Sequence, residues 1–426
     1  MNTNNNINVN ENKIIEFLDL PKEEIQRILT YLTPNELSAV SKTNKLLHKY
    51  SLPILWRQFK QYTIVNASEF EQILQKYGKY IKLITPNSLP GGLHKFNIQN
   101  FYNCCPNIEE FHLNLFDFEY FENYSVILNN WKNVKALTII KDFEFELIAI
   151  DPSKLEKLNT LKLVNFYTKS NWIDGLQIKD NILNLTYEFT NYNFNNTLDF
   201  QFNQFSNLQH LILNLNFFSI LKFELIDELL TNIQYLKNLR KLEIYSKSYF
   251  ETMLNGSQFE PFVNITRGFA GLREVILDLY GVLGPDDNEE DGVEEEDFNA
   301  GDGDNITLKP FQLSKFFSNL CPNLTLIYIS FMDDTIFQSI LTNCPNLKKL
   351  GTHSTIPLLY DLSIYTLVKL SDLTITDTCR SAFHNQTNYR AVFPNLTTLY
   401  ITGNQLPERY KNHLSCLHKI PMIFPS

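Results

Sequence analysis

Glycine is scarce in this chain, 14 residues in 426 against 33 phenylalanines and 21 tyrosines, so there is ample material for a core and little for flexible linkers. Neither Gly-x-Gly-x-x-Gly nor a phosphate-binding loop occurs, and Gly-x-Ser-x-Gly and His-Glu-x-x-His are missing as well. The six cysteines, at 104, 105, 321, 344, 379 and 416, include no C-x-x-C pair. That argues against a zinc site and a disulfide framework alike, and reads the cysteines as reduced, buried small hydrophobes. Cys416 and His418 stand close together, but two residues do not make a cysteine hydrolase. No run of eighteen apolar residues exists and the N-terminus lacks a basic-then-apolar signal segment, so the expectation is a cytoplasmic or nuclear protein with no membrane partner. Clusters of lysine and arginine are missing too. With a pI near 5.4 nothing supplies phosphate neutralisation, and no nucleic-acid partner is expected.

The negative charge that is present is local. Lysine and arginine number 37 against 47 acidic residues, a net charge of −10, and eleven of the acidic residues lie between Pro285 and Asp304 with no basic one among them. A like-charge block of this kind, with Gly292, Gly301 and Gly303, reads as a solvated loop insertion spanning 285–304. Asp287, Glu289, Asp291 and Gly292 fit the early positions of a calcium loop, but Phe298 stands where the bidentate glutamate belongs. The sequence therefore predicts no catalytic residue, no metal site and no cofactor, and a protein that is not an enzyme. Residues 1–12 form an asparagine-rich tail with too little apolar surface to fold.

After the tail comes Leu18-Asp19-Leu20-Pro21-Lys22-Glu23-Glu24-Ile25-Gln26-Arg27-Ile28-Leu29-Thr30-Tyr31-Leu32. Pro21 suits a helix start, and Ile25, Ile28, Leu29 and Leu32 follow at the spacing of one apolar helical stripe. Thr33-Pro34-Asn35-Glu36 then makes a capping box for a second helix carrying Leu37 and Val40. Leu46, Leu47 and Tyr50 are a third apolar set, and the segment closes on Leu55-Trp56. Residues 13–60 resemble an F-box. The resemblance implies docking on a Skp-type adaptor and, through it, on a cullin, with Leu20, Pro21, Ile25, Ile28, Leu29, Leu32, Leu37, Val40 and Trp56 as the adaptor-binding residues. A module this small hides too little of its own area to be comfortably stable alone, which suits a partner.

Beyond a linker and possible degenerate first repeat at 61–103, in which Tyr80–Ile84 is the candidate strand, one phrase returns throughout residues 104–426. It reads asparagine, leucine, two variable residues, an apolar residue, one variable, another apolar. Clear copies begin at Ile108, Leu208, Leu239, Leu324, Leu347 and Leu396, several preceded by Cys-Pro-Asn or Phe-Pro-Asn; weaker ones begin at Val134, Leu158, Ile182, Leu272 and Leu370. The steps are 26, 24, 24 and 26 residues from 108 to 208, and 23, 23 and 26 from 324 to 396, with longer steps and the acidic insertion between. That period lies in the leucine-rich-repeat range. The expected fold class is α/β: a helical N-terminal module followed by a leucine-rich-repeat solenoid, a horseshoe with parallel strands on its concave face. Asn216 and Asn404, after their strands, are candidates to bond neighbouring turns, and Asp334–Leu341 reads as a short helix between strands.

Within each strand the residue between the paired apolar positions should face away from the core. In chain order these are His112, Thr138, Lys162, Thr186, Ile212, Glu243, Ile276, Tyr328, Gly351, Thr374 and Tyr400. Tyrosine is enriched at binding hot spots. The candidate substrate-binding residues are thus Tyr328, Thr374 and Tyr400, flanked by Thr325, Thr376, Thr397 and Thr402. The function these readings predict is substrate recognition for a Skp–cullin–F-box ubiquitin ligase, with an unidentified protein as substrate. The alternative is a repeat scaffold unconnected with ubiquitin.

Overall fold

The computed structural model describes residues 17–57, 67–85, 103–114, 131–140, 155–164, 179–188, 202–215, 220–221, 233–246, 249–250, 269–279, 317, 322–329, 334–352, 369–376, 394–402 and 422–423. The acidic insertion, Asn216, Asn404, Cys379, Cys416 and His418 lie outside them. The chain divides into two compact units, residues 1–112 with 119–134, and residues 113–118 with 135–426.

The first unit opens with three short helices, α1 (Lys22–Leu29), α2 (Pro34–Ser41) and α3 (Lys45–Leu55). Pro21 takes the N-cap position of α1, one residue earlier than the sequence suggested. The capping box of α2 is formed in full: the Glu36 carboxylate accepts from the Thr33 N–H at 2.8 Å and from its hydroxyl at 2.8 Å, while the Glu36 N–H returns a bond to Thr33 Oγ1 at 3.4 Å. Asn44 caps α3 by accepting from the Leu46 N–H at 2.7 Å. Ile25, Leu29, Leu37 and Leu47 form the core between the three helices, with Leu20, Leu32, Val40, Tyr50, Ile54 and Leu55 packed around it.

α4 (Ala67–Tyr77) follows, and the Trp56 ring stacks on that of Tyr77 with centroids 4.3 Å apart. Strands β1 (Leu83–Ile84) and β2 (Glu110–Asn114) then pair in parallel, so the Tyr80–Ile84 segment does contain a strand. Gly78 sits so close to the Cys104 carbonyl that any side chain there would overlap it. Trp131, fully buried, donates its indole N–H to the Cys105 carbonyl at 3.0 Å.

In the second unit β3 (Ala136–Ile140), β4 (Thr160–Val164), β5 (Asn184–Glu188) and β6 (His210–Asn214) are followed by β7 (Ile220–Leu221), β8 (Lys241–Ser246), β9 (Tyr249–Phe250), β10 (Glu274–Leu279) and β11 (Leu326–Ile329). Helix α5 (Asp334–Asn343) comes next, then β12 (Lys349–Thr352), β13 (Asp372–Thr376), β14 (Thr398–Thr402) and β15 (Met422–Ile423). All but β7 and β9 lie in one parallel sheet in chain order, and β7 and β9 pair with each other. Neither that pair nor β15 was expected, because two-residue strands carry no period to read.

The repeats from β4 to β10 each contribute three apolar positions to one side, while the repeat at Leu347 has the buried Thr352 as its third. Leu158, Leu161 and Leu163 are buried, and so are Ile182, Leu185 and Tyr187, Leu208, Leu211 and Leu213, Leu239, Leu242 and Ile244, and Leu272, Val275 and Leu277. A fourth position, three residues before the leading leucine, is buried as well. It holds Leu155, Phe205, Leu236, Phe269 and Cys344 in the second unit and Cys105 in the first, so these cysteines serve as small hydrophobes. Burial pushes the Cys344 thiol up to about 12 and that of Cys105 higher still, the latter also through the neighbouring Cys104, which keeps both protonated. Helix α5 buries Ile336, Phe337 and Ile340.

Two ladders hold successive repeats. In the first, one carbonyl accepts two N–H groups from the next repeat: the Lys135 oxygen from Asn159 and Thr160 at 3.0 Å each, the Arg273 oxygen from Thr325 at 2.8 Å and Leu326 at 3.1 Å. Both lone pairs of the turn carbonyl are thereby used. The same motif joins the helical module to β1, where the Arg57 carbonyl accepts from Lys82 at 2.8 Å and Leu83 at 3.1 Å. The second ladder uses the asparagine before the leading leucine. Its amide donates to the previous turn, from Asn107 to Lys79 at 2.9 Å, Asn207 to Asp180 at 2.8 Å, Asn238 to Ser206 at 3.0 Å, Asn323 to Ala270 at 2.9 Å and Asn346 to Pro322 at 3.3 Å. The turn-bonding asparagines described are therefore those preceding the strands; Asn216 and Asn404 lie outside the described residues. Both ladders continue unbroken from β10 to β11, across the insertion.

Candidate functional site

Because side chains alternate along a strand, the positions between the buried leucines form rows on the opposite, open face of the sheet. The strand registers place Thr138, Lys162, Thr186, Ile212, Glu243, Ile276, Tyr328, Gly351, Thr374 and Tyr400 in one continuous row. A row runs on either side of it. One contains His210, Lys241, Glu274, Leu326, Lys349, Asp372 and Thr398; the other contains Glu188, Asn214, Tyr245 and Asp278.

The middle row is not uniformly solvated. Glu243, on β8, is 6% exposed. Its carboxylate accepts from Lys241 Nζ at 2.8 Å, from the Tyr245 hydroxyl, and approaches His210 Nε2 at 2.8 Å; Lys241 also reaches Glu274 at 3.6 Å. Burial alone would raise the Glu243 pKa, but the bonds from Lys241, Tyr245 and His210 together outweigh it and hold the carboxyl below its ordinary value. Tyr245 shifts the other way. Burial, the bond to Glu243 and the nearby charges of Glu243 and Asp278 keep its phenol protonated.

Next to this cluster lies a cavity of about 520 Å³ over β8 and β10–β14, lined by Tyr245, Asp278, Tyr328, Lys349, Asp372 and Thr398, with Gly351 in its floor. The Tyr328 ring lies over Gly351, where a Cβ would overlap its Cδ2. Glycine at this one strand position is what lets an aromatic ring lie flat on the neighbouring strand.

Of the substrate-binding candidates, Tyr328 lines this cavity, and Thr374 and Tyr400 occupy the same row on β13 and β14 with side chains outside the described residues. Thr325 and Thr397 are not contact residues of the row. Their hydroxyls donate to the Arg273 carbonyl at 3.1 Å and the Ser371 carbonyl at 2.9 Å, which fastens turns. Sequence reasoning missed Tyr245, Asp278, Asp372 and Thr398, because it followed one residue per strand; the positions two before and two after each row member were the available signal.

The adaptor-binding candidates separate by exposure. Ile25, Leu29 and Leu37 are spent on the core of the helical module, contrary to the expectation that the whole stripe faces a partner; Leu20, Leu32, Val40 and Trp56 are half-buried. Pro21 and Ile28 are exposed, as are Phe17, Leu18 and Tyr31, which were not anticipated, with Ile28 at 40% and Tyr31 at 78%. Among the described residues no group of three or more His, Cys, Asp or Glu is placed to hold a metal ion, and no helix is long and apolar enough to cross a membrane.

No family model matches the chain, and no curated protein does. Among solved structures it is similar to one described as a TLR13–ssRNA13 complex, at 14% identity and a TM-score of 0.41, over 79% of this chain and 41% of that one. It is similar also to a chain of the Rad7 and Elc1 complex in yeast, at 13% identity and a TM-score of 0.35, over 94% of this chain and 92% of that one. The chain thus spans less than half the length of the first. The assignment as a leucine-rich-repeat-like solenoid rests on the strand registers and the repeated phrase.

Proposed function

We propose that this chain binds and positions a protein target for ubiquitin transfer without catalysing the transfer itself. The helical module docks on a Skp-type adaptor that joins it to a cullin, and the repeats hold the target, so that proximity raises the transfer rate on other subunits. The observation that carries the reading is the exposed apolar set Phe17, Leu18, Ile28 and Tyr31 on a module whose own core is already complete with Ile25, Leu29, Leu37 and Leu47. Large apolar side chains left outside a finished core suit a docking surface. Ile28→Asp leaves that core untouched and should weaken adaptor binding more than about a hundredfold, since it removes apolar burial and introduces an unpaired charge. Unchanged adaptor binding by the folded variant would overturn the assignment.

A second reading has an observation of its own. The Arg57 carbonyl receives Lys82 and Leu83 as each repeat receives the next, which supports a helical module that caps the strand β1. A scaffold with a cap alone would recover its target and no adaptor.

A further inference from the structure

We infer that the sheet edge formed by the turns leading into β8 and β10 to β13 takes an acidic, extended segment of a target protein, whose aspartate or glutamate side chains pair with Arg240, Arg273, Lys348 and Lys369. This rests on the reading of the repeats as the target-holding surface and names the chemistry that surface selects. The cations are scattered along the chain from 237 to 369, and the ladder of turn carbonyls assembles them. The Arg240 oxygen accepts the Arg273 N–H at 2.8 Å, the Arg273 oxygen accepts that of Thr325 at 2.8 Å, and the Thr325 oxygen accepts that of Lys348 at 2.9 Å. Arg240, Arg273 and Lys348 therefore stand in one line of turns. Lys237 and Lys369 lie just before the leading leucines of the β8 and β13 repeats, and Lys349 opens β12.

All six are exposed, and among the described residues none is in an ion pair. Arg273 gives a hydrogen bond of 3.5 Å to the Asn323 carbonyl and Lys369 one of 2.6 Å to the Asn346 side chain, both neutral acceptors. The carboxylates at this edge are already engaged, Glu274 with Lys241 at 3.6 Å and Asp372 with the Ser371 hydroxyl at 2.6 Å. Stacking does not ask for this charge. The turn position of Arg240 and Arg273 holds Asn159, Leu183 and Gln209 before β4, β5 and β6, and like charges about 5 Å apart on neighbouring strands repel. A row of cations that strains the free chain and bonds no neighbouring carboxylate suits an anionic partner.

The dimensions fit a short segment. Strands β8, β10, β11, β12 and β13 are consecutive in the sheet, and the spacings between them add to roughly 19 Å, the length of about six extended residues. Lys349 also lines the cavity that contains Tyr328, so a segment held on the edge continues toward that ring. The net charge of −10 opposes a long polyanion such as nucleic acid, which would run past the edge, whereas a short acidic segment is neutralised on the edge itself.

The test is selection of a randomised eight-residue peptide library on the purified full-length chain, followed by affinity measurements on the enriched peptides and on a labelled single-stranded RNA. The expected result is enrichment of aspartate and glutamate. Affinity for the enriched peptides should fall at least about tenfold in Arg240→Glu/Arg273→Glu and in Lys348→Glu/Lys369→Glu, and weaken with added salt. Lys132→Glu, the same reversal at the turn position equivalent to Lys237 but in the other unit, should leave it unchanged. Circular dichroism should show each variant folded, and Arg240→Gln/Lys348→Gln, which removes charge without adding repulsion, should give a smaller loss in the same direction. Enrichment of basic or purely apolar peptides, full affinity in both charge-reversed chains, tighter binding of the RNA than of any peptide, or no selectable peptide would each overturn the inference. So would a chain that selects acidic peptides only after deletion of 285–304, since its own acidic segment would then be the occupant. No adaptor is present in this assay, and the charge-reversed chains should still capture the adaptor, so failure here is distinct from failure of the ligase reading.

Discussion

Strands β4 and β5 and strands β8 and β10 to β12 are built on the same inner face and differ on the outer one. Inside, Leu161, Leu163, Leu185 and Tyr187 in the first pair match Leu242, Ile244, Val275 and Leu277 in the second group, all essentially without exposure. Outside, the earlier strands carry Lys162 and Thr186, with one ion pair, Lys162 to Glu188 at 2.6 Å, half open to water. The later strands carry a buried carboxylate held by Lys241, Tyr245 and His210, a carboxylate beside two tyrosines, and a ring laid on a glycine. Stacking fixes the inner residues, since each must fill the gap to the next repeat; nothing in stacking asks for Glu243 or Gly351. The difference between the two regions is therefore a place to look for function.

The largest expected effect tests the sameness of the inner faces. Leu211→Ala and Leu242→Ala, both fully buried, should each cost about 2–5 kcal/mol in urea unfolding, while Thr138→Ala on the open face stays within about 0.5 kcal/mol. Equal losses on both faces would erase the distinction. Next comes the outer contrast itself. Glu243→Ala strands three part-buried donors and should cost about 1–3 kcal/mol, whereas removing the more exposed Lys162–Glu188 pair should cost at most about 1 kcal/mol.

Acid sharpens the same contrast. Because the folded Glu243 carboxyl sits below its ordinary value of 4.5, its stabilisation is fully present above that pH and is lost as pH falls through the lower folded value. Acid unfolding of Glu243→Gln, followed by tryptophan fluorescence, should lose that part of its pH dependence. An unchanged acid profile would mean that the cluster is not formed in solution.

The apolar repeat, its period, the short helix at 334–343 and the α2 capping box were all legible, because each is written as spacing along the chain. The open-face cluster was not. Glu243, Lys241 and Tyr245 alternate along one strand, but His210, 33 residues before Glu243, is the register partner of Lys241, and only the strand order brings it there. The asparagine before each leucine was visible as part of the phrase. Its bond to the previous turn was not, since that too is made between repeats. Asn346→Ala should cost about 0.5–1.5 kcal/mol for one such rung. Smallest of all is deletion of 285–304, which should leave the melting temperature nearly unchanged, since the cost of closing a loop depends only weakly on its length.

The most direct test of the central claim, that one region recruits the adaptor and another selects the target, is affinity purification of three full-length chains from the same extract: unaltered, Ile28→Asp and Tyr328→Ala. Adaptor, cullin and ubiquitinated target are quantified in each. The account predicts that Ile28→Asp loses adaptor and cullin and keeps the target without its ubiquitin, while Tyr328→Ala keeps adaptor and cullin and loses the target. Adaptor recovered in full with Ile28→Asp, or both partners lost together from either variant, would contradict it.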